Sequence, residues 1–145
     1  MPNVNKSVLV LHSDQQMFDL VRDIESYPEF LPWCGGAQVQ RVSDSEVRGQ
    51  LSINFKGVRQ SFTTLNHYDT DQQYIDIKLV DGPFKALSGR WSFHALTPEA
   101  CKVELWLKYE FSSRFLATVV GPVFNQIANT FIEAFVKRAE QIYGS

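Results

Sequence analysis

The last thirty residues of this 145-residue chain carry its most restrictive pattern. Apolar residues fall in adjacent pairs four positions apart, from Phe115/Leu116 to Phe135/Val136, with polar residues between them. This spacing predicts an amphipathic α-helix. Since each residue turns the helix by about 100°, a repeat of four drifts by about 40° per step, and the apolar stripe winds around the helix. A winding stripe fits a helix held against a concave surface, where apolar ligands are commonly bound.

Gly121 and Pro122 interrupt this predicted helix. A proline costs about 3 kcal/mol in a helix interior but is tolerated at the first helical position. We therefore expect a short lead segment over residues 114–120 and a main helix that begins at Pro122.

The rest of the chain is dominated by alternating apolar and polar residues, which predict β-strands. A first strand over residues 4–11 precedes a helix capped by Ser13 or Asp14, and then an apolar loop over residues 27–36. Further strands are predicted over residues 47–55, 59–68, 74–80, 84–96 and 102–111. Short turns between long alternating strands indicate an antiparallel sheet with one dry face, which the final helix is long enough to cover. The alternation fails over residues 63–66, so the inward face of that strand stays open.

Length and composition are those of one globular domain over residues 1–145. The formal net charge of −2 argues against sequence-blind DNA or RNA binding, which uses a basic footprint. No signal peptide and no apolar run of transmembrane length occur in the sequence. We expect a cytoplasmic protein without a transmembrane segment, in which Cys34 and Cys101 are reduced.

Two segments resemble a known group of proteins. These are residues 27–34, with the sequence Tyr-Pro-Glu-Phe-Leu-Pro-Trp-Cys, and residues 79–85, with the sequence Leu-Val-Asp-Gly-Pro-Phe-Lys. Together they are similar to the coenzyme Q-binding, polyketide-cyclase-like branch of the START-type helix-grip superfamily, and the resemblance extends over nearly the whole chain. It implies an α+β helix-grip fold: a curved antiparallel sheet of about seven strands around a long C-terminal helix, with two short helices after the first strand.

The resemblance implies two functions. One is binding of ubiquinone or a similar polyisoprenoid lipid in an internal cavity, in support of respiration, with no cofactor required. The other is that of a toxin that binds the large ribosomal subunit and blocks subunit association. A cyclase-like or hydrolase-like enzyme is a third and weaker alternative.

A lipid-binding cavity would be lined by the apolar side chains that face the sheet interior, by the helix and by the apolar loop. The predicted ligand-binding residues are Phe30, Leu31, Trp33, Leu51, Ile53, Phe55, Phe62, Leu79, Trp91, Phe93, Leu105, Tyr109, Phe124, Ile127 and Phe131. A dry void of ~300 Å³ would cost roughly 7 kcal/mol at ~24 cal/mol per Å³. Such a void should be filled, collapsed or wetted, and polar residues on an inward strand face would indicate wetting.

Catalytic and metal-binding residues are not predicted. His12, His67 and His94 are scattered, and no pair of them has the spacing of metal ligands. His94 is expected to point outward from its strand, and Cys34 is expected to be a buried, inert thiol.

Ribosome binding would need a local basic surface. One candidate cluster is Arg41, Arg48, Lys56 and Arg59, expected near one set of strand ends. The other candidate is Lys102 with Lys108 on the outer face of the last strand, where Glu104 and Glu110 alternate with them.

Overall fold

A computed structural model describes residues 3–144, which form a seven-stranded antiparallel sheet with a long helix on its inner face. The elements follow in this order: β1 (Asn3–Val10), α1 (Asp14–Arg22), a 3₁₀ helix (Ile24–Glu29), β2 (Cys34–Arg41), β3 (Glu46–Phe55), β4 (Val58–Asp69), β5 (Tyr74–Asp81), β6 (Phe84–Thr97), β7 (Ala100–Phe111), α2 (Arg114–Val119) and α3 (Gly121–Tyr143). The predicted α+β helix-grip fold is confirmed, including the two short helical pieces after β1.

The strands lie in the order β1-β7-β6-β5-β4-β3-β2, and every neighbouring pair is antiparallel. From β2 to β7 each strand pairs with its sequence neighbour, as short connections favour. β1 instead pairs with β7, so the first strand in sequence lies beside the last. The sheet stays open, with β1 and β2 as its edges.

The predicted break in the terminal helix is confirmed. Ser113 caps α2 by accepting a hydrogen bond from the Leu116 backbone N–H at 3.1 Å, and Pro122 lies in the first turn of α3. The buried residues of α3 follow the winding stripe: Val123, Phe124, Ile127, Ala128, Ile132, Phe135 and Ala139. The stripe does not continue into α2, where Phe115 is 73% exposed.

Ser13, and not Asp14, caps α1. Its hydroxyl accepts from the Gln16 backbone N–H, and the Gln16 side-chain oxygen accepts from the Ser13 N–H, both at 3.0 Å. This reciprocal capping box satisfies two otherwise unpaired donors at the helix start. Met17, Phe18 and Val21 of α1 are then buried against the sheet.

The sequence did not locate β2. The apolar loop predicted over residues 27–36 overlaps this strand, which begins at Cys34 and pairs with β3 through a register shift between Cys34 and Gly36. An edge strand is covered on few sides, so its residues need not be apolar, and most of β2 is half-buried or exposed. The number of strands is nevertheless the predicted seven.

The structure also resolves the face of β4 that the sequence left open. Thr64 and Asn66 point inward with Phe62 and Tyr68, whereas Leu65 is only half-buried. Thr63 pairs with Asp81 and Thr64 with Leu79, so Val80 is the extra residue of a bulge in β5. The turn that follows uses Gly82 at φ +147°, where an added Cβ would lie 2.6 Å from Phe62 Cβ.

The most enclosed part of the interior lies beneath the C-terminal half of α3. We call it the closed core, and its members are wholly shielded from solvent: Met17, Phe18, Cys101, Phe135 and Ala139. Within the described residues, no helix is long and apolar enough to cross a membrane.

Candidate ligand cavity

An apolar cavity of about 70 Å³ lies between the inner face of the sheet and the N-terminal half of α3. Strands β3 to β7 supply its floor, α3 supplies its roof, and α1 with the segment after it closes one side. Its position beneath a helix on a concave sheet is the one that the winding stripe predicts.

Some of the predicted ligand-binding residues meet at this cavity and others do not. Those that line it are Trp33, Leu51, Phe62, Trp91, Phe124, Ile127 and Phe131. Those that lie elsewhere are Phe30, Leu31, Ile53, Phe55, Leu79, Phe93, Leu105 and Tyr109. The inward face of the sheet is longer than the cavity, because packed side chains fill both of its ends. Phe93, for example, packs edge-on against Phe18 of the closed core, with ring centroids 5.6 Å apart.

Other residues of the cavity wall are not predicted from the sequence. These are Val21, Ile24, Tyr27, Gly49, Thr64, Asn66, Tyr68, Ile75, Ile77, Leu87, Leu107 and Ala128. Val21 and Ile24 share one apolar face at helical spacing in the sequence, but that spacing gives no sign of a void beside them. The one available signal at Thr64 and Asn66 was the failure of alternation in β4.

Aromatic rings surround the cavity. Phe131 stands between Trp33 and Trp91, with ring-centroid distances of 5.9 Å and 5.7 Å. Phe62 and Phe124 meet edge-on at 6.0 Å on the other side. Phe131 is only half-buried, so this part of the roof is not fixed on every side by packing.

Two polar side chains interrupt the apolar wall. Thr64 and Asn66 are each 6% exposed and lie on the same face of β4. Asn66 Nδ2 donates to the Thr64 carbonyl oxygen at 3.2 Å and to Thr64 Oγ1 at 3.1 Å. Burying an unpaired amide or hydroxyl costs several kcal/mol in an apolar site. These hydrogen bonds therefore allow Thr64 and Asn66 to lie in the apolar wall.

Gly49 makes room for this polar pair. It is the register partner of Thr64 on β3, and a Cβ there would lie 3.0 Å from Ile24 Cδ1 and 3.4 Å from Asn66 Nδ2. Any side chain at this position would therefore press on the cavity wall.

The apolar segment over residues 27–34, which begins inside the 3₁₀ helix, is packed down and forms part of the wall. The Tyr27 hydroxyl donates to the Val21 carbonyl at 2.5 Å, and the Asn54 N–H donates to the Trp33 carbonyl at 2.8 Å. Of the three ligand-binding residues predicted in this segment, Phe30, Leu31 and Trp33, only Trp33 reaches the cavity. Phe30 packs instead against Phe135, with ring centroids 5.2 Å apart.

An ion pair fastens this segment to α3. Arg138 Nη2 lies 3.1 Å from Glu29 Oε1, and the Arg138 guanidinium lies 5.1 Å from the Phe30 ring centroid. At the opposite end, Lys56 Nζ donates to Gln126 Oε1 of α3 at 2.8 Å. Both ends of the groove that α3 occupies are thus tied to it by polar contacts.

The titratable groups on the cavity wall are tyrosines. Within residues 3–144 the lining includes Tyr27 and Tyr68 and no aspartate, glutamate or histidine. Burial raises the pKa of Tyr27 well above its usual value and raises the pKa of Tyr68 to about 12. Neither tyrosine therefore ionises near neutral pH. An efficient general acid or base has a pKa close to the pH at which it works.

The histidines do not converge on the cavity. His94 is exposed and pairs in register with Lys102, which confirms its outward direction. His67 Nδ1 lies 3.7 Å from Glu46 Oε2 on the outer side of β4. In the part of the chain that the structure describes, no group of three or more His, Cys, Asp or Glu residues could hold a metal ion.

Both thiols are free and buried. Burial raises the pKa of Cys34, although the backbone of Gly36 partly offsets this effect. Burial also raises the pKa of Cys101 to about 11. Thiols with raised pKa values are poor nucleophiles at neutral pH.

The first predicted basic cluster is wrong. Arg41 and Arg48 lie near the start of β3, whereas Lys56 and Arg59 lie beyond or opposite its end. At ~3.3 Å per residue, the extended strand separates the two pairs by about 20 Å. Arg41 is also paired with Asp44.

The second predicted pair does lie on the outer face of β7. Lys102 is paired with Glu104 at 3.0 Å, while Lys108 Nζ lies 5.9 Å from the Trp106 ring centroid. Trp106 is 37% exposed between the buried Leu105 and Leu107. We call Trp106 and Lys108 the outer-face pair; they lie on the side of the sheet opposite the cavity.

Comparison with known proteins identifies the family. Residues 10–136 match the family described as polyketide cyclase/dehydrase and lipid transport. The chain is 43% identical over 144 residues to the ribosome association toxin RatA of Vibrio cholerae, covering 99% of both chains. It is 26% identical to the mitochondrial coenzyme Q-binding protein COQ10 homolog B of Xenopus laevis, covering 97% of this chain and 59% of the other.

Solved structures agree on the fold. The Zhui aromatase/cyclase of Streptomyces sp. R1128 superposes with a TM-score of 0.80 at 16% identity, covering 97% of this chain and 94% of that one. A START superfamily protein of Mycobacterium smegmatis gives 0.75 at 23% identity, covering 97% and 98%. With its START-like helix-grip fold and its match over residues 10–136, the chain belongs to the polyketide cyclase/dehydrase and lipid transport family.

Proposed function

We propose that this protein binds a hydrophobic ligand, ubiquinone or a similar polyisoprenoid lipid, in the cavity beneath α3, in support of respiration and without chemistry of its own. The observation that carries the proposal is the apolar cavity walled by Trp33, Trp91 and Phe131. The coenzyme Q-binding name of one relative favours the same ligand class.

The cavity is smaller than an ordinary ligand pocket, so a ligand has to enlarge it when it binds. Ligand pockets usually enclose about 300–1,000 Å³, and this cavity has about 70 Å³. At ~24 cal/mol per Å³ the void costs roughly 2 kcal/mol, a fraction that a domain with about 5–15 kcal/mol of stability tolerates. A ligand ring therefore enters by displacing wall side chains, and Phe131 is one of the wall residues that packing covers only in part.

The test is to extract purified protein with organic solvent, identify co-purifying lipid, and titrate the stripped protein with a short-chain ubiquinone. Trp33 and Trp91 line the cavity, so quenching of their fluorescence reports occupancy. Ala128→Phe places a ring inside the cavity and should abolish uptake. The matched control, Asn129→Phe, adds the same ring on the exposed side of α3 and should bind as the unaltered chain does. Absence of both lipid and quinone uptake would contradict the proposal.

A second function, association with the large ribosomal subunit, is favoured by the outer-face pair and by the names of relatives. Exposed aromatic rings next to cations stack on unpaired RNA bases, each stack contributing about 1–3 kcal/mol. Because the net charge is −2, a basic contact with RNA has to be local, and Lys108 beside Trp106 offers one. The cavity and the outer-face pair lie on opposite sides of the sheet, so the two functions are compatible.

Sucrose-gradient profiles after overexpression test this second function. The unaltered chain should shift 70S ribosomes toward free subunits and sediment with the large one. Trp106→Ala combined with Lys108→Glu should remove both effects. Lys137→Glu, an equal charge change on an exposed position of α3, should remove neither. A profile unchanged by the unaltered chain would refute ribosome association.

A further inference from the structure

Thr64 and Asn66 place one acceptor and one donor at the cavity wall. The Thr64 carbonyl can only accept, so the Asn66 side-chain atom 3.2 Å from it must be the amide nitrogen. This fixes the orientation of the amide and leaves Asn66 Oδ1 as its other end. Among residues 3–144, no donor forms a hydrogen bond with Oδ1.

The Thr64 hydroxyl has the complementary capacity. Its oxygen accepts from Asn66 Nδ2 at 3.1 Å, and its own proton has no acceptor among the described side chains and backbone groups. A hydroxyl that accepts a hydrogen bond is polarised into a better donor. The pair therefore offers one proton from Thr64 and one lone-pair oxygen from Asn66, on adjacent side chains joined by a hydrogen bond.

We propose that this polar pair makes the cavity selective for the reduced, hydroxyl-bearing form of a ring ligand over its oxidised dicarbonyl form. A ring hydroxyl accepts from Thr64 and donates to Asn66 Oδ1, so one group of the ligand satisfies both side chains. A ring carbonyl accepts from Thr64 but has no proton for Oδ1. The inference rests on the proposed quinone-binding function and specifies the redox state that is bound.

The surroundings of Thr64 and Asn66 make it costly for a ring carbonyl to leave Asn66 Oδ1 unpaired. Apart from tyrosines, the neighbouring wall consists of apolar side chains such as Ile24, Ile75 and Ile77. Tyr27 donates its proton to the Val21 carbonyl, and among the described residues the Tyr68 hydroxyl makes no hydrogen bond to Asn66, so neither tyrosine serves Asn66. When a ligand fills the cavity and excludes water, an acceptor facing another acceptor stays unpaired in an apolar site.

The test is anaerobic titration calorimetry of the lipid-stripped protein with a ubiquinone carrying one isoprene unit and with its hydroquinone. The expected result is that the hydroquinone binds about tenfold more tightly, since an unpaired buried acceptor weakens binding by roughly that factor. Asn66→Leu should bring the two affinities to within about twofold. Thr64→Val should weaken both forms, since both accept its proton.

Ile77→Val is the matched control: it trims the apolar wall and should lower both affinities equally, leaving their ratio unchanged. Thermal unfolding checks that each variant is folded. The ratio of the two affinities in the unaltered chain tests the proposal by itself, without any variant. Equal affinities in the unaltered chain, or a preference that survives Asn66→Leu, would overturn the selectivity and leave quinone binding intact. Absence of binding by either form would overturn the proposed function and this inference together.

Discussion

Phe131 and Phe135 lie one helical turn apart on α3, yet they occupy different environments. Phe135 is wholly buried and meets Tyr27, Phe30 and Trp91 at centroid distances of 5.2 Å. Phe131 meets Trp33 and Trp91 at greater distances, is half-buried, and borders the cavity. The same residue type on the same stripe thus builds a closed core in one turn and the roof of a void in the next.

This difference gives the two halves of α3 different roles: the C-terminal half stabilises the fold, and the N-terminal half lines the proposed binding site. The closed core holds α3 against the sheet from its C-terminal half, where α1 covers the other side. The cavity can then exist under the N-terminal half without loosening the fold. Side chains in the closed core should therefore affect unfolding, and side chains at the cavity should affect ligand uptake.

The largest expected effect tests this division directly. Phe135→Ala should lower the free energy of unfolding by about 4 kcal/mol, because a fully packed ring leaves an unfilled hole. Phe131→Ala should lower it by about 1.5 kcal/mol, since part of its surface already faces solvent or the void. Urea unfolding of both variants measures the two losses. Equal losses would show that the cavity end carries as much of the stability as the closed core.

A second prediction concerns alkaline pH. Burial raises the pKa of Cys101 to about 11, above its usual value near 9. Between pH 9 and 11 the unfolded chain releases this proton while the folded chain retains it, so stability falls as pH rises, by about 2 kcal/mol in total. Cys101→Ala should be less stable at pH 8 but should lose this part of the slope.

Tyr68 on the cavity wall provides the contrast. Its pKa of about 12 moves the corresponding loss of stability to the window between pH 10 and 12. Tyr68→Phe should therefore flatten the profile above pH 10 and leave the part that begins at pH 9. Urea unfolding across pH 8–12 distinguishes the two windows; a single window for both variants would contradict their assignment to separate groups.

Two alanines of α3 give a third comparison at smaller magnitude. Ala139→Val overpacks the closed core and should cost about 2 kcal/mol. Ala128→Val adds the same two methyl groups toward the cavity and should be nearly neutral, while weakening quinone binding. Both changes lower the helix propensity by the same amount, so this loss does not contribute to the difference in stability between the two variants. Thermal unfolding and fluorescence titration provide the readouts; destabilisation by Ala128→Val as large as that by Ala139→Val would mean that the void is not free to be filled.

The smallest expected effect is at the contact between Glu29 and Arg138. Glu29→Gln removes the charge from a largely exposed partner and should cost less than about 1 kcal/mol. It should also raise the rates of quinone entry and exit about equally, because the segment before Trp33 is held less firmly to α3. Stopped-flow fluorescence measures both rates, and a change in affinity without a change in rate would show that this contact shapes the site instead of its access.

Much of the fold was predictable because it depends on local periodicity. The pairs from Phe115/Leu116 to Phe135/Val136 predict the terminal helix, Gly121 and Pro122 predict its break, and alternation predicts six of the seven strands. β2 was missed because an edge strand needs little apolar pattern. Of the site, the sequence indicated the roof residues Phe124, Ile127 and Phe131, since they share the inward stripe.

What the sequence alone determined, then, is which faces are apolar and which elements they build, because hydrophobic period is a property of neighbouring residues. Only the tertiary structure decided which inward residues border a void, because a void arises from the shapes of side chains on several elements. It also decided that Thr64 and Asn66 face inward, since strand pairing and the bulge at Val80, and not hydrophobicity, fix that register. The winding stripe predicts a concave surface against α3, and tertiary packing decides where a cavity remains between that surface and the helix.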